Sequence, residues 1–388
     1  MGHYNHRTVL RQISNRLLRE YFESKGRPLC VEWDRITETQ IQSVYDEFLR
    51  LPEALYREAE LDMRDIHAVA TEDGLRAVIE AGRACDRPVA ADIAKLDSRY
   101  DRAMWVLLHR PDIWADGVRF AHADSLPPRY WQKRNGLPGK PPDTSRPTMD
   151  RLGEAISAFF IQTEGRGRLS LVERYPRSDE LDYYFVYLSD YPDTAVIWND
   201  AEELVREKRR HAFEVVYAFD RCAGTLDMYA RGGHKVIRPL QEIFTEAVLG
   251  IRLAPEDPEE CPYRVDGLKE RSFGFPTDPE DGIAEVAVRR LCLSVAGRPR
   301  KRFTVERMDD SGPDAMYDSL EYEINQDRLP LSLLRVERAT ITMALTGRGR
   351  IRRLTFDVGP KSCNLKGKRE ELRELGEKYL RRWGIEAA

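Results

Sequence analysis

The sequence predicts an α+β fold: a helical N-terminal domain followed by two β-rich α+β units with mainly antiparallel sheets. Apolar residues recur at helical spacing over the first third of the chain and alternate with polar residues later, and Pro- and Gly-rich breaks separate the parts. The predicted divisions are a helical domain 1–135, a Pro/Gly linker 136–147, a β-rich unit 148–254, an acidic linker 255–262, and a β-rich unit 263–388 with a C-terminal helix.

The helical domain is predicted from amphipathic periodicity and from capping residues. An apolar stripe between Val9 and Tyr21 indicates the first helix, and Thr37 with Gln40 forms a capping box before the next one. A short extended segment is predicted at 29–33. Further helices are predicted over 52–69, 73–84, 90–109 and 112–123.

After the first linker the apolar period changes from helical to alternating. A helix is predicted over about 148–158 and another, strongly charged, over about 200–210; a third is predicted over 239–249. Strands are predicted at 159–161, 169–175, 183–187, 194–198, 213–219 and 224–229. In the last unit the predicted order is strands 284–295 and 302–308, a helix near 313–325, strands 334–345 and 351–358, and a helix over 368–383.

Charge is balanced overall but unevenly distributed. The chain of 388 residues has a formal net charge of −4, so bulk electrostatics do not favour nucleic acid or an anionic membrane. Residues 256–285 hold ten acidic against three basic residues, whereas 348–388 hold twelve basic against six acidic ones. Either the two segments attract each other or the second is a basic binding face.

The chain is predicted to be cytoplasmic and to have no membrane partner. Its first residues are polar, and no run approaches the roughly 20 apolar residues of a membrane helix. Its six cysteines are scattered without any Cys-x-x-Cys pair, which is typical of reduced thiols rather than of a zinc or redox site.

One short motif occurs three times: Gly-Arg-x-Arg followed by an apolar–Ser/Thr–apolar triplet, at 165–171, 297–305 and 347–356. Each copy lies between alternating stretches, which predicts a β-hairpin with a basic tip. Arginine matches phosphate oxygens with a rigid charged fork, and glycine lets backbone amides approach an anion. The candidate polyanion-binding residues are therefore Arg166, Arg168, Arg298, Arg300, Lys301, Arg348, Arg350, Arg352 and Arg353.

This pattern leads to the hypothesis of a non-catalytic binding or regulatory component. It would contact nucleic acid through the Gly-Arg hairpins and a protein partner through the helical domain. An alternative is a metal-dependent nuclease or phosphodiesterase that uses Glu214, Asp220 and Asp227. No phosphate-binding, dinucleotide-binding or nucleophile-elbow motif occurs, so the sequence predicts no cofactor, no metal and no identifiable catalytic residue.

Several segments of the chain resemble an uncharacterised group of bacterial proteins with no known activity. The resemblance rests on Tyr130-Trp131-Gln132-Lys133-Arg134, Phe275 to Gly282, Ser362-Cys363-Asn364-Leu365-Lys366 and Arg382-Trp383-Gly384-Ile385. It implies a bacterial cytosolic origin and no particular chemistry. A third alternative, suggested by this resemblance alone, is a protein-interaction subunit of a larger bacterial assembly, such as one for antiviral defence.

Overall fold

The computed structural model describes residues 4–38, 40–199, 201, 203–253, 261–295, 298–307, 312–346, 352–368 and 370–386. The chain divides into two compact units. Unit 1 comprises Met1–Leu126 and Tyr175–Glu180, and unit 2 comprises Pro127–Arg174 and Leu181–Ala388. The α+β class is confirmed, with helices first and two antiparallel sheets of five strands after them.

Unit 1 is helical, and its helices bury their apolar stripes against one another. The sequence sets their ends: Asn5, Thr71 and Ser98 accept hydrogen bonds from first-turn amides as N-caps. The helices are α1 (His6–Gln12), α2 (Asn15–Ser24), α3 (Gln42–Leu49), α4 (Glu53–Val69), α5 (Glu72–Ala84), α6 (Ala90–Ile93), α7 (Arg99–His109) and α8 (Pro111–Ser125).

The close approach of α5 and α8 in unit 1 depends on a glycine. A Cβ atom at Gly117 on α8 would lie 2.5 Å from Cγ2 of Val78 and 3.0 Å from its Cα on α5. Contacts this short do not occur between real atoms, so α5 and α8 approach each other only because position 117 has no side chain.

The first sheet of unit 2 carries two helices on one of its faces. Its strand order is β1-β5-β4-β3-β2, and buried Phe160 and Phe244 of the helices pack with Tyr217 of the sheet. The elements are β1 (Trp131–Arg134), α9 (Arg146–Glu164), β2 (Ser170–Pro176), β3 (Leu181–Trp198), β4 (Leu204–Asp220), β5 (Thr225–Tyr229) and α10 (His234–Leu249).

The second sheet has the strand order β10-β9-β8-β6-β7 and is covered by the last two helices. Tyr379 and Leu380 of the C-terminal helix are buried with Ile341, Leu354 and Phe356 of the central strands. The elements are β6 (Ile283–Val295), β7 (Arg298–Glu306), α11 (Ala315–Glu323), β8 (Leu334–Leu345), β9 (Arg352–Gly359), β10 (Ser362–Cys363) and α12 (Glu370–Arg382).

Several sequence-based predictions of local structure were wrong. Residues 29–33 form no strand; the predicted strand 159–161 lies inside α9, whose stripe Leu152, Ile156 and Phe160 keeps helical spacing. The predicted charged helix 200–210 is instead mostly the first half of β4, because cross-strand pairing with β3 overrides its helix-favouring residues.

The domain boundaries also differ from the predicted ones. Unit 1 ends its first segment at Leu126, and Trp131–Arg134 pairs with β5 in the first sheet, so the boundary near 135 is too late. The 136–147 linker contains the first residues of α9 and is held in unit 2, where Leu137 N donates to Gly224 O (2.9 Å). The predicted acidic linker falls largely on 254–260, outside the described residues, and both β-rich parts form one unit.

We expect Asp143, just before α9, to make a pH-dependent contribution to stability. Thr148 Oγ1 donates to Asp143 Oδ2 (2.6 Å) and Ser145 N donates to Oδ1 (2.9 Å), which lower the pKa of this carboxyl to about 2. A carboxyl with a lowered folded-state pKa stabilises the fold above its unfolded value near 3.8, and this stabilisation is lost as pH falls towards about 2.

Asp143→Ala should therefore lower the melting temperature at pH 6, and its difference from the native protein should shrink between pH 4 and pH 2. Circular dichroism melts across this range measure the effect. Asp150→Ala is the matched control, because Asp150 lies nearby on α9 in an exposed pair with Arg146 and should shift the melting temperature less. A difference at position 143 that stays constant down to pH 2 would contradict the assignment.

Candidate nucleic-acid interface

The first Gly-Arg copy is not a hairpin tip. It follows α9, where Gly165 (φ +73°) is the left-handed residue that ends the helix. Arg166 donates from Nε to Glu164 (2.7 Å) and from Nη1 to Asp190 (3.2 Å), and its guanidinium lies 3.8 Å from the centre of the Phe213 ring. The hairpin prediction for this copy was wrong, and Arg166 makes these contacts with residues of unit 2.

The second and third copies do lie in hairpins of the second sheet, but at opposite ends of it. Val295 pairs with Arg298 across the β6–β7 connection, and Leu345 pairs with Arg352 across the β8–β9 connection. In the β6–β8 ladder Val295 is opposite Leu334, at the far end of β8 from Leu345. Eleven residue steps separate Leu334 from Leu345, so the described strand ends beside the two connections lie roughly 36 Å apart along β8.

The structure describes only some of the candidate residues of these motifs. Arg168, Arg352 and Arg353 are exposed, and the backbone of Arg298, Arg300 and Lys301 lies in β7. The side chains of these β7 residues, and Arg348 and Arg350 altogether, lie outside the described part of the chain.

The three carboxylates of the nuclease alternative do not form a metal-binding group among the described residues. Glu214 and Asp220 lie six residues apart on β4, which is roughly 20 Å along an extended strand. Asp227 on β5 is paired with Lys366 at 3.0 Å. Among the residues that the structure describes, no group of three or more His, Cys, Asp or Glu side chains is placed to hold a metal ion.

A different surface stands out: the distal halves of β3 and β4, here called the arm (Tyr191–His211). The ladder shifts register between Ser189 and Pro192, and seven residue pairs follow, from Pro192 opposite Arg210 to Trp198 opposite Leu204. The described pairs of β5 with β4 cover Val216–Asp220, so they do not reach the arm. The arm is thus a two-stranded ribbon, roughly 20 Å long.

One side of the arm carries three cations in a row, here called the basic face (Arg206, Lys208 and Arg210). They alternate along β4, so all three side chains project from the same side of the ribbon, and all are exposed. Among the described residues, none forms a hydrogen bond or ion pair with these three side chains. By contrast, Arg209 on the opposite side is paired with Glu207 at 2.9 Å.

The basic face continues into exposed apolar side chains near the end of the arm. Val196 is opposite Arg206, and Trp198 is opposite Leu204, so cross-strand pairing places them all on this side. Trp198 is 67% exposed, Leu204 60% and Val196 56%. A large aromatic ring this exposed beside unpaired cations is unusual for a side chain with only a packing role.

The connection at the end of the arm is closed by Asn199. Its Oδ1 accepts from Ala201 N (3.0 Å) and Glu203 N (2.8 Å), and its backbone N donates to Glu203 O (3.0 Å). This side-chain-to-backbone bonding is typical of asparagine in turns and fixes the register of Trp198 opposite Leu204.

The basic face was missed at the sequence level because the charged run was interpreted as helix. The spacing Arg206, Lys208, Arg210 repeats every two residues, which is the strand period. It lies in the same strand as Val215, Val216, Tyr217, Ala218 and Phe219, which are all buried, and that continuity was the available signal.

Part of the charge asymmetry of the last unit is balanced by ion pairs within it. Lys378 Nζ pairs with Asp278 (3.1 Å) and Asp281 (2.6 Å), and Arg382 also pairs with Asp278. Hydrogen bonds from Lys378 lower the pKa of both carboxyls, with further donation from Arg382 to Asp278 and from Tyr379 to Asp281. Ion pairs thus join the acidic 278–282 turn to the basic C-terminal helix. This agrees with the interpretation that the two oppositely charged segments attract each other.

Comparison with protein-family models and with curated proteins finds no match for this chain. Over the described residues, no helix has both the length and the apolar character needed to cross a membrane.

Proposed function

We propose that this protein is a non-catalytic nucleic-acid-binding component and that its contact surface is the arm. The single observation that carries the proposal is the basic face, with three exposed cations in one row that have no partner among the described residues. Nucleic-acid affinity comes largely from such cations, because each one that contacts a phosphate releases condensed counterions. The proposal includes a cytoplasmic location, in keeping with six cysteines that are not paired in disulfides.

The spacing of the basic face suits a phosphate backbone. Successive cations lie two strand residues apart, which is about 6.6–6.8 Å along the ribbon. Each of the three cations can therefore contact a different phosphate of one strand. The arm also supplies this charge locally in a chain whose net charge is −4.

Trp198 indicates unpaired bases rather than a closed duplex. An exposed aromatic ring beside a cationic track is the arrangement with which proteins stack on bases of single strands, at about 1–3 kcal/mol per base. In the arm the ring lies on the same side as Arg206, Lys208 and Arg210. One strand could therefore contact the cations with its phosphates and Trp198 with a base.

The test is binding of fluorescently labelled single-stranded RNA, single-stranded DNA and duplex DNA over a salt series, with and without Mg²⁺. Three phosphate contacts predict a slope of log affinity against log salt of about −2 for single strands. We expect single strands to bind more tightly than the duplex and to remain intact with Mg²⁺. The absence of binding at low salt would overturn the proposal.

Trp198→Leu should separate base stacking from simple apolar contact. Leucine keeps a large apolar side chain but has no ring, so we expect roughly 5- to 100-fold weaker binding to single strands, whereas Trp198→Phe should retain most of the affinity. Titrations of the labelled strand against both variants measure this. Tyr322→Leu is the matched control, because Tyr322 is an 88% exposed aromatic residue far along the chain from the arm. Equal affinity of Trp198→Leu and the native protein would rule out stacking.

A further inference from the structure

A cleft in unit 2, separate from the arm, lies beside the start of α10. It has a volume of about 130 Å³ and is lined by Gln132, Lys133, Gly232, Gly233, Ile237, Arg238, Gln241 and Lys361. Strand β1, helix α10 and the residue before β10 each contribute to it. Three of these eight residues are cations and none is acidic, so the lining favours an anion.

The N-terminus of α10 borders the cleft through Gly233. Gly233 is its N-cap, and among the described residues no side chain caps this turn. The first turn of a helix has amides without intrahelical partners and a partial positive charge, which together attract anions. A Cβ atom at Gly233 would meet nothing within 4 Å, so this glycine borders open space where a ligand can approach the backbone.

The second feature of the cleft is Gln241, two turns further along α10. It is only 3% exposed, yet among the described residues its side-chain amide has no hydrogen-bond partner. Its polar atoms are not among the fully buried atoms that have no partner, so they keep some exposure to solvent. Since Gln241 lines the cleft, we infer that its amide faces the cleft. A ligand oxygen or hydroxyl group in the cleft would provide a hydrogen-bond partner for this amide.

The cations of the cleft are held in position by acidic neighbours. Lys133 Nζ lies 2.8 Å from Glu386 Oε1, with both side chains largely buried, and Arg238 Nε lies 2.9 Å from Glu242 Oε1. Both cations keep further donors beyond these single contacts, since lysine has three N–H groups and arginine five. Lys361 adds a third positive charge to the wall.

We propose that this cleft is a binding site for a phosphate group, either inorganic phosphate or a phosphate monoester. A phosphate would accept hydrogen bonds from the first-turn amides of α10, from Lys133 and Arg238, and from the Gln241 amide. The volume fits such a group and is below the roughly 300 Å³ of clefts that enclose a drug-sized ligand. The rest of a monoester would project out of the cleft.

The test is titration of the full-length protein with sodium phosphate, followed by calorimetry and by ³¹P line broadening in phosphate-free buffer. We expect saturable binding, with Gly233→Asp reducing the affinity at least tenfold because its carboxylate occupies the amides and repels the anion. The variant should fold, since aspartate is a favourable N-cap. Gly274→Asp is the matched control, because a Cβ there also meets nothing within 4 Å, and its affinity should equal that of the native protein.

A second variant removes the buried amide instead. Gln241→Met keeps the side-chain length but loses the donor and acceptor, and we expect about tenfold weaker phosphate binding. Gln162→Met, at an exposed position of α9, is its control. No saturable binding of phosphate to the native protein up to roughly 10 mM, or native affinity in Gly233→Asp, would overturn the proposal.

Two further ligands are tested to identify the source of the phosphate. The variant used replaces the three cations of the basic face. Its affinity for glycerol phosphate is compared with its affinity for a 5′-phosphorylated oligonucleotide. The same oligonucleotide with a 5′-hydroxyl group is the control for the second ligand. This site and the arm are independent, so loss of nucleic-acid binding in that variant must leave phosphate binding unchanged. Weaker phosphate binding in the variant without the basic-face cations than in the native protein would contradict a separate site.

Discussion

Replacing Arg206, Lys208 and Arg210 together by glutamine should weaken binding to single-stranded nucleic acid by about 100-fold at low salt. This corresponds to roughly 1 kcal/mol for each lost phosphate contact. The salt dependence should flatten as well, since each lost contact removes about 0.7 from the slope for single strands. The three positions are exposed, and among the described residues their side chains have no partners, so the fold should be unaffected.

The matched control is the triple replacement of Arg168, Arg352 and Arg353 by glutamine. These exposed arginines belong to the Gly-Arg motifs, and their removal changes the net charge by the same amount. If the arm is the contact surface, this control should bind almost as well as the native protein. If the control loses binding and the arm variant keeps it, the Gly-Arg motifs are the contact surface and the arm is not.

Arg177→Met should destabilise unit 1 by about 3 kcal/mol, the low end of the cost of breaking a buried ion pair. The Arg177 side chain is only 7% exposed. Its Nε donates to Glu80 (2.6 Å), and its two terminal nitrogens donate to both oxygens of Asp124 (2.8 and 2.6 Å). Methionine fills similar space but leaves two largely buried carboxylates without this cation.

The measurement is denaturant unfolding followed by circular dichroism. Arg19→Met serves as the control, because Arg19 forms a pair with Glu23 that is about half exposed on both sides, and such pairs contribute about 0.5 kcal/mol or less. Arg177→Met with the same midpoint as Arg19→Met would show that the bidentate contact contributes no more than a surface pair.

Local elements could be predicted well where a single period dominates. The helices over 53–69 and 72–84 and the strands over 283–295, 334–345 and 352–359 lie within a few residues of the predicted bounds. Each has an unbroken apolar stripe, so burial and local preference agree. The prediction failed at 200–210, where a run of Glu, Arg and Lys favours helix locally and only pairing with residues 192–198 makes it a strand.

For the candidate site too, the sequence shows the local motifs but not where the fold places them. The Gly-Arg motifs are visible in the sequence, but whether their tips meet depends on strand order, and the position of β8 between β6 and β9 sends two connections to opposite ends of one sheet. The cleft beside α10 left no sequence signal, because Lys133, Gly233 and Gln241 are brought together only by packing.

The sequence by itself determined the fold class, most element positions and the absence of familiar catalytic motifs, because periodicity and spacing are local properties of the chain. Tertiary structure alone decided which charges are free to bind a partner. Arg166 and Arg206 look alike in sequence, yet Arg166 is paired with Glu164 and Asp190, whereas Arg206 projects from the arm. The physical reason is that an ion pair depends on distances between residues that only the folded chain brings together.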